Sequence, residues 1–178
     1  MRYIELRRHT MRVKPGQHLS QTGVDLARRV GDMMGPFNRV ITSPIPRAYE
    51  TAIAMGFAVD EQNEVLSMLA EGVEAEVGSW DAGFEAFAQA AGKEGATARF
   101  AQMLAALMRD IALGLPENGA ALLISHGGFM EAAAVGCLPD EDFASWGRYC
   151  DYCEGVRLRF GGERFVSGVV LRVDGKSG

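Results

Sequence analysis

Two of the three histidines in this 178-residue sequence directly follow apolar stretches of strand length. His9 has Arg8 immediately before it, and His126 comes just after a continuous apolar run. Arg47 lies a few residues beyond another stretch of this kind. In open α/β sheets the ligand lies in the crevice beyond the carboxyl ends of the strands. The sequence therefore predicts that four basic side chains meet at one edge of a sheet: Arg8, His9, Arg47 and His126.

Two imidazoles and two guanidinium groups suit phosphoryl chemistry. A planar guanidinium binds phosphate oxygens in a bidentate way and stays charged at any working pH, so Arg8 and Arg47 are candidates for a phosphate clamp. A neutral imidazole can attack phosphorus to form a phosphohistidine, the role we assign to His9. His126 would donate to the phosphoryl oxygens as their charge develops. A metal site is the other use for two histidines, but the neighbouring cations would repel a divalent ion, so no metal is expected.

The elements that must position these side chains alternate between strand and helix. This alternation predicts an α/β fold, a three-layer sandwich with a mainly parallel central sheet, helices on both faces and a C-terminal antiparallel hairpin. The predicted strands are residues 3–6, 39–43 and 120–125, the helices 19–34, 47–55, 97–113 and 129–135, and the hairpin strands 156–160 and 165–173. We expect residues 71–95 to form an irregular, partly helical excursion between the regular elements.

Composition and charge set the broad class of protein. The sequence is 48% hydrophobic and carries a net charge of −5, as expected of one globular domain spanning residues 1–178. The acidic balance argues against nucleic acid or an anionic membrane as a partner and leaves a small phosphorylated substrate. No apolar run approaches the ~20 residues that span a bilayer. Charges at Arg2 and Glu5 replace an apolar signal segment, so the predicted location is the cytoplasm.

The three cysteines predict neither a disulfide scaffold nor a metal centre. Cys150 and Cys153 have Cys-x-x-Cys spacing, but the sequence has no second pair and no nearby histidine to complete four ligands. A redox pair is expected early in a strand–helix–strand unit, whereas this pair comes late. We therefore expect no cofactor.

The order and spacing of four motifs resemble the histidine phosphatase superfamily, also called phosphoglycerate mutase-like. The resemblance runs from Tyr3 to about Val135 and is specific because all four motifs occur in the family's order. The motifs are Leu6-Arg7-Arg8-His9, Leu19-Ser20-x-x-Gly23, Ser43-Pro44-Ile45-Pro46-Arg47-Ala48-x-x-Thr51-Ala52 and Ser125-His126-Gly127-Gly128.

The resemblance implies that His9 is the phosphorylated nucleophile and that Arg8, Arg47 and His126 complete the phosphate pocket. The family also uses a carboxylic acid from an L-x-E stretch to protonate the leaving oxygen and then to activate water. Leu69-Ala70-Glu71 matches that stretch, whereas Glu74 has the better spacing to Gly78-Ser79-Trp80-Asp81, which is similar to the family's G-x-W-E-G. We prefer Glu71 and leave Glu74 open. Partial burial that raises the pKa of the acid would support either choice.

The sequence departs from the family directly after His9. The family continues R-H-G-E or R-H-A-E, and this chain has Thr10-Met11-Arg12. Thr10 could donate a hydrogen bond to the phosphate, and Arg12 could add a third cation, as in the acid phosphatase branch with its R-H-G-x-R-x-P motif. Arg7 is predicted to be a strand-end surface charge, and His18 a loop residue.

The function that these residues favour is that of a phosphomonoester hydrolase with a phosphohistidine intermediate. Three alternatives stay open: a phosphoglycerate mutase, a phosphohistidine protein phosphatase, and a non-catalytic phosphate-binding protein. The mutase is disfavoured because the chain lacks room for the long insertions of the cofactor-dependent enzymes. Segments 71–95 and 137–153 are expected to border the substrate, and their aromatic side chains either line a leaving-group pocket or pack on the core: Trp80, Phe84, Trp146 and Tyr149.

Overall fold

The protein folds around one mixed β-sheet. The computed structural model describes residues 1–174, and in that range the strands are β1 (Arg2–Arg8), β2 (Arg39–Thr42), β3 (Glu61–Gln62), β4 (Ala120–Ser125), β5 (Gly155–Gly161) and β6 (Arg164–Leu171). They lie in the order β3-β2-β4-β1-β5-β6. The neighbours from β3 to β1 are parallel, and β5 and β6 are added antiparallel. The predicted fold class is confirmed, including the C-terminal antiparallel hairpin.

Helices cover the sheet from both sides. They are α1 (Gln21–Gly31), α2 (Pro46–Ala54), α3 (Val73–Val77), α4 (Phe84–Ala91), α5 (Ala96–Gly114) and α6 (Phe129–Cys137). The side chains of β4 show the layering, since Leu122 and Ile124 pack with α1 and α2 while Ala121 and Leu123 pack with α5 and α6. Every residue of β4 is buried, as expected of a central parallel strand with helices on both faces.

Local sequence explains where α1 begins. Ser20 is the N-cap residue, and its side chain accepts a hydrogen bond from the backbone N–H of Gly23 at 3.1 Å. Gly23 is also required by space, because a Cβ there would lie 2.2 Å from the carbonyl oxygen of Met11. The Leu-Ser-x-x-Gly motif therefore lets the helix start close against the chain that leaves β1.

Two expectations from the sequence were wrong. Arg7 is buried rather than exposed at the surface: its guanidinium pairs with Glu5 at 2.7 Å and donates to the Cys153 carbonyl at 2.8 Å. Glu5 is itself fully buried on the same strand, and this fixed partner is why a charged side chain is stable there. The first helix, predicted to continue to residue 34, ends at Gly31, and Met33 beyond it is 91% exposed.

The excursion between residues 71 and 95 contains two short helices, α3 and α4. Its aromatic side chains pack inward: Phe84 and Phe87 are fully buried, and Trp80 stacks on Phe129 and meets Phe100 edge-on. This segment therefore joins the core beside α5 and α6. Among residues 1–174, no helix combines the length and apolarity that crossing a membrane requires.

Candidate active site

The register of the sheet brings the two histidines together. Arg8 at the end of β1 pairs with Ser125 at the end of β4, so the next residues, His9 and His126, leave the sheet at the same level. The His9 backbone N–H donates to the Ser125 carbonyl at 2.9 Å. Their ring centroids lie 5.2 Å apart. The convergence that the sequence predicted for these two residues follows from parallel pairing of neighbouring strands.

Hydrogen bonds fix the tautomer of His9. Its Nδ1 lies 2.7 Å from the carbonyl oxygen of Thr10, which can only accept, so the ring proton is on Nδ1. Arg47 Nε donates to His9 Nε2 at 3.1 Å, so Nε2 carries the lone pair. The nitrogen able to attack an electrophile therefore lies beside a guanidinium.

Burial keeps His9 neutral. Only 6% of the residue is exposed, and its pKa is lowered to about 3, mainly because burial disfavours the charged ring. The positive charges of Arg47, Arg8 and Arg12 lower this pKa further. An imidazole that stays unprotonated near neutral pH is available as a nucleophile.

His126 is buried and neutral for the same reason. Burial, with added repulsion from His9 and the two arginines, lowers its pKa to about 3. Its Nε2 lies 2.7 Å from the hydroxyl oxygen of Ser43, which also accepts from the Ile45 backbone N–H. When the Ser43 hydroxyl donates to Nε2, the ring proton is on Nδ1, a buried atom with no partner among the described residues. An unpartnered buried donor is costly and suits a group that binds an anion.

Arg8 is held between three different neighbours. Its Nη1 donates to Asp81 Oδ1 at 2.8 Å and to the Cys150 carbonyl at 3.1 Å. The guanidinium carbon lies 5.2 Å from the ring centroid of Tyr152. Arg8 Nε is buried and has no partner within residues 1–174. Arg8 thus has spare donor capacity next to the two histidines.

The glycines after His126 are required by this packing. A Cβ on Gly127 would lie 3.0 Å from both the Arg8 guanidinium carbon and Asp81 Oδ1. Gly128 has φ +86°, and a Cβ there would lie 2.5 Å from the Trp80 ring. The Ser-His-Gly-Gly motif therefore allows β4 to turn into α6 directly beneath the arginine and the tryptophan.

The residues after His9 have different fates. The Thr10 hydroxyl donates to the Gly23 carbonyl at 2.9 Å and Thr10 is fully buried, so the structure uses it to hold α1 rather than to face a phosphate. Arg12 donates to the Gly16 carbonyl at 2.7 Å, half-buried, and its charge acts on both His9 and Arg47. His18 is an exposed loop residue paired with Glu50, as predicted.

The two predicted acids lie at the same edge of the sheet but outside the cluster. Glu71 and Glu74 are exposed, and within residues 1–174 neither carboxylate has a hydrogen-bond or ion-pair partner. Their segment is anchored by Glu76, whose carboxylate accepts from the Ala96 and Thr97 backbone N–H groups at 2.8 Å. Those groups begin α5, which runs back to the start of β4, so the segment lies near the carboxyl ends of the strands. The partial burial expected of the acid is not observed for either residue.

Sequence reasoning missed two residues at the site, Asp81 and Tyr152. Asp81 is the carboxylate that contacts Arg8, and the G-x-W-E-G resemblance was the signal that could have found it. The Tyr152 ring lies 5.8 Å from the His9 ring, but nothing in its local sequence marks it. The aromatics named as possible pocket residues pack elsewhere: Phe84 and Trp146 contact each other, and Tyr149 lies under Arg148.

Within the described range, no cluster of His, Cys, Asp or Glu side chains is arranged to hold a metal ion. Cys137, Cys150 and Cys153 are buried and form no disulfide within the described residues. The groups that meet at the site are two neutral imidazoles, two guanidinium groups and a carboxylate.

Comparison with known families agrees with this geometry. The family model described as histidine phosphatase superfamily (branch 1) matches residues 5–170. The chain belongs to the histidine phosphatase superfamily, and this membership supports phosphatase or phosphoryl-transfer chemistry in general. No curated protein sequence matches the chain.

Solved structures share the fold over nearly the whole chain. A phosphoserine phosphatase from Entamoeba histolytica, crystallised with 3-phosphoglyceric acid, has a TM-score of 0.71 at 18% identity and covers 98% of each chain. The Rv3214 protein of Mycobacterium tuberculosis gives 0.66 at 18% identity over 96% of each chain. YhfR of Bacillus stearothermophilus gives 0.63 at 17% identity, covering 100% of this chain and 98% of its own. At such identities the likeness shows the fold alone.

Proposed function

We propose that the protein is a phosphomonoester hydrolase that works through a phosphohistidine on His9. The observation that carries the proposal is the state of the His9 ring. Its Nδ1 proton is held by the Thr10 carbonyl, its Nε2 lone pair lies beside Arg47, and its pKa is lowered to about 3 by burial. Nucleophilic attack on phosphorus requires a neutral ring with an unprotonated nitrogen, and the neighbouring guanidinium groups would bind the phosphoryl oxygens.

The proposed reaction has two steps. In the first, His9 Nε2 attacks phosphorus, the bond to the ester oxygen breaks, and the leaving oxygen takes a proton from a carboxylic acid. In the second, that carboxylate accepts a proton from water as the water oxygen attacks phosphorus, and the phosphorus–nitrogen bond breaks to release inorganic phosphate. Both steps place negative charge on the phosphoryl oxygens, which Arg8, Arg47 and His126 would stabilise, with Arg12 at the rim.

Three carboxyl groups are candidates for the acid. Glu71 keeps the role that its L-x-E match suggests, and Glu74 remains the alternative on spacing. Asp81 joins them because it already contacts Arg8 at 2.8 Å. In the unliganded site that contact neutralises part of the clamp, and an arriving phosphate would compete with Asp81 for Arg8.

The test is direct. Purified protein is assayed with a broad panel of phosphomonoesters, including p-nitrophenyl phosphate and phosphoserine, between roughly pH 5 and pH 8, where His9 stays neutral. The acid-labile phosphoenzyme is trapped by rapid quench. We expect turnover and a labile phosphoryl group that disappears in His9→Ala but persists in His18→Ala, since His18 is an exposed loop residue.

Other outcomes would replace the proposal. No turnover on any ester would exclude the hydrolase, and phosphate binding without turnover would indicate a non-catalytic phosphate-binding protein. Transfer of phosphate within phosphoglycerate, dependent on a bisphosphoglycerate primer, would indicate a mutase. Activity confined to phosphohistidine on a protein would indicate the protein phosphatase.

A further inference from the structure

A buried acidic residue outside the proposed reaction lies directly behind the phosphate clamp. Glu131, in the first turn of α6, is fully buried. One carboxyl oxygen accepts a hydrogen bond from the Cys150 backbone N–H at 2.6 Å. The other carboxyl oxygen has no partner among residues 1–174. Burying a carboxyl group costs free energy unless its hydrogen bonds compensate, so this residue calls for a function or a strong structural reason.

Cys150 connects Glu131 to Arg8 through a single residue. Its N–H donates to Glu131, and its own carbonyl accepts from Arg8 Nη1 at 3.1 Å. Two residues further on, the Tyr152 ring lies 5.2 Å from the Arg8 guanidinium carbon and 5.8 Å from the His9 ring. A shift of the Cys150 peptide would therefore move an acceptor of Arg8 and, with it, an aromatic neighbour of the nucleophile.

Among residues 1–174, the Cys150 carbonyl is the buried one of the two hydrogen-bond acceptors of the Arg8 guanidinium. The other acceptor, Asp81, has a side chain that is 46% exposed and contacts the same Nη1 atom. Exposed ion pairs contribute little and rearrange readily, whereas a buried acceptor with its own buried partner is held in place. The chain from Glu131 through Cys150 is thus the rigid support of the clamp.

We propose that Glu131 is a positioning residue: through the Cys150 peptide it holds the Arg8 guanidinium in the orientation that binds the phosphoryl group. This inference rests on the proposed function, because it assigns Arg8 to the phosphate. Burial raises the pKa of Glu131, and the backbone N–H groups of Cys150 and Glu131 and the positive charge of Arg8 offset that only in part.

Two substitutions separate hydrogen bonding from charge. Glu131→Gln keeps an oxygen that accepts from the Cys150 N–H, and we expect inorganic phosphate affinity and KM for p-nitrophenyl phosphate within about twofold of wild type. Glu131→Leu removes the acceptor and leaves a buried N–H unpaired, and we expect phosphate affinity to fall and KM to rise about tenfold, with a smaller change in kcat. In Glu131→Asn the shorter side chain moves the acceptor away from the Cys150 N–H, so phosphate affinity and KM should lie between those of the other two variants. This variant supplies the test if Glu131→Leu does not fold.

The control for general destabilisation is Ile111→Ala. Ile111 is 4% exposed near the end of α5, at the opposite edge of the sheet from the histidines. Phosphate binding is measured by calorimetry below the unfolding transition of each variant, and stability by thermal melting.

The outcomes separate the two proposals. If wild type binds no inorganic phosphate and hydrolyses no ester, the proposed function fails and this inference fails with it. If wild type does both, but Glu131→Leu and Glu131→Asn bind phosphate as well as Ile111→Ala, the positioning role alone is wrong. A tenfold loss in Glu131→Gln would also overturn it, since charge rather than the hydrogen bond would then be the cause.

Discussion

Two regions of the molecule meet at the same site but are built differently. The first is the strand-end cluster, which consists of Arg8, His9, Arg47 and His126. The second is the pair of outer loops, residues 78–83 and 147–154. Arg8 ends β1, His9 and His126 directly follow β1 and β4, and Arg47 lies in the first turn of α2 just beyond β2, so the register of these strands brings the four together. The outer loops lie far from these residues in sequence and reach the site only by packing, through Asp81, Cys150 and Tyr152. The cluster is mostly buried with few degrees of freedom, whereas the loops are half exposed.

This difference suggests a division of labour. In the proposed function the cluster carries the phosphoryl chemistry, and the geometry of a sheet edge is difficult to change without losing the fold. Loops that pack on that edge can vary in sequence and still keep the cluster in place. Substrate choice in this protein is therefore expected to lie in the outer loops and in the segment 71–77 next to them.

The largest expected effect comes from removing the proposed general acid, which lies outside the strand-end cluster. In Glu71→Gln we expect kcat to fall by about 10³-fold for an alkyl phosphate, whose leaving oxygen needs a proton, but by only about tenfold for p-nitrophenyl phosphate, whose leaving group is stable as an anion. Steady-state kinetics on the two substrates measure the ratio. Glu74→Gln and Asp81→Asn are the matched variants, and a larger ratio in either would move the acid to that residue.

The next effect concerns the clamp within the cluster. Arg47→Lys keeps the charge but loses the Nε donor to His9 Nε2 and the planar fork, so kcat/KM should fall by about 10²-fold. Arg12→Lys, at the rim, is the comparison and should cost less than about threefold. Equal losses in the two variants would mean that charge alone matters and that the cluster and its rim do not differ.

A smaller effect concerns the contact between the cluster and the outer loops, which Gly128 makes with Trp80. Gly128→Ala forces a side chain into φ +86° and against the Trp80 ring at 2.5 Å, and we expect it to destabilise the fold by about 2–4 kcal/mol. Gly162→Ala has φ +59° with open space around it, and should cost about 1 kcal/mol. Urea unfolding of both variants gives the difference, and similar values would remove the steric argument for Trp80.

The smallest expected change is in the pH profile of the cluster. Because burial lowers the pKa of His9 and of His126 to about 3, both rings stay neutral across physiological pH. After correction for the substrate phosphate, which titrates near pH ~6, kcat/KM should show no acid limb with an apparent pKa near 6.5. An acid limb at that pH, abolished in His126→Gln, would contradict the burial argument.

The same shifts predict how stability depends on pH. The unfolded chain binds protons at its histidines below about pH 6.5, while the folded cluster takes them up only near pH 3, so the unfolded state holds more protons between these values. Stability should therefore decline as pH falls through this window. Denaturant unfolding at several pH values measures the slope, which should become shallower in His9→Ala.

Sequence reasoning reached the strand-end cluster because strands and the residues that follow them are local features. The apolar run before His126, the proline-started helix that contains Arg47 and the Leu-Ser-x-x-Gly motif at the start of α1 are each visible within about ten residues. The same reasoning placed Arg7 on the surface, because its partners are Glu5 on the same face of β1 and the Cys153 carbonyl 146 residues away. It also expected Thr10 to face a phosphate, although the buried carbonyl of Gly23 accepts its hydrogen bond.

By itself, the sequence determined the class of fold, the order of its elements and the four basic residues at the sheet edge, because strand alternation and short-range spacing encode them. Only the tertiary structure decided which nitrogen of His9 is unprotonated and which carboxylate contacts Arg8. It also decided that Tyr152, Cys150 and Glu131 surround the clamp. Those contacts join residues separated by up to about 140 positions, and the packing of α4, α5 and α6 brings them together. No local sequence pattern encodes these long-range contacts, because they depend on the packing of the whole core rather than on the propensity of any one segment.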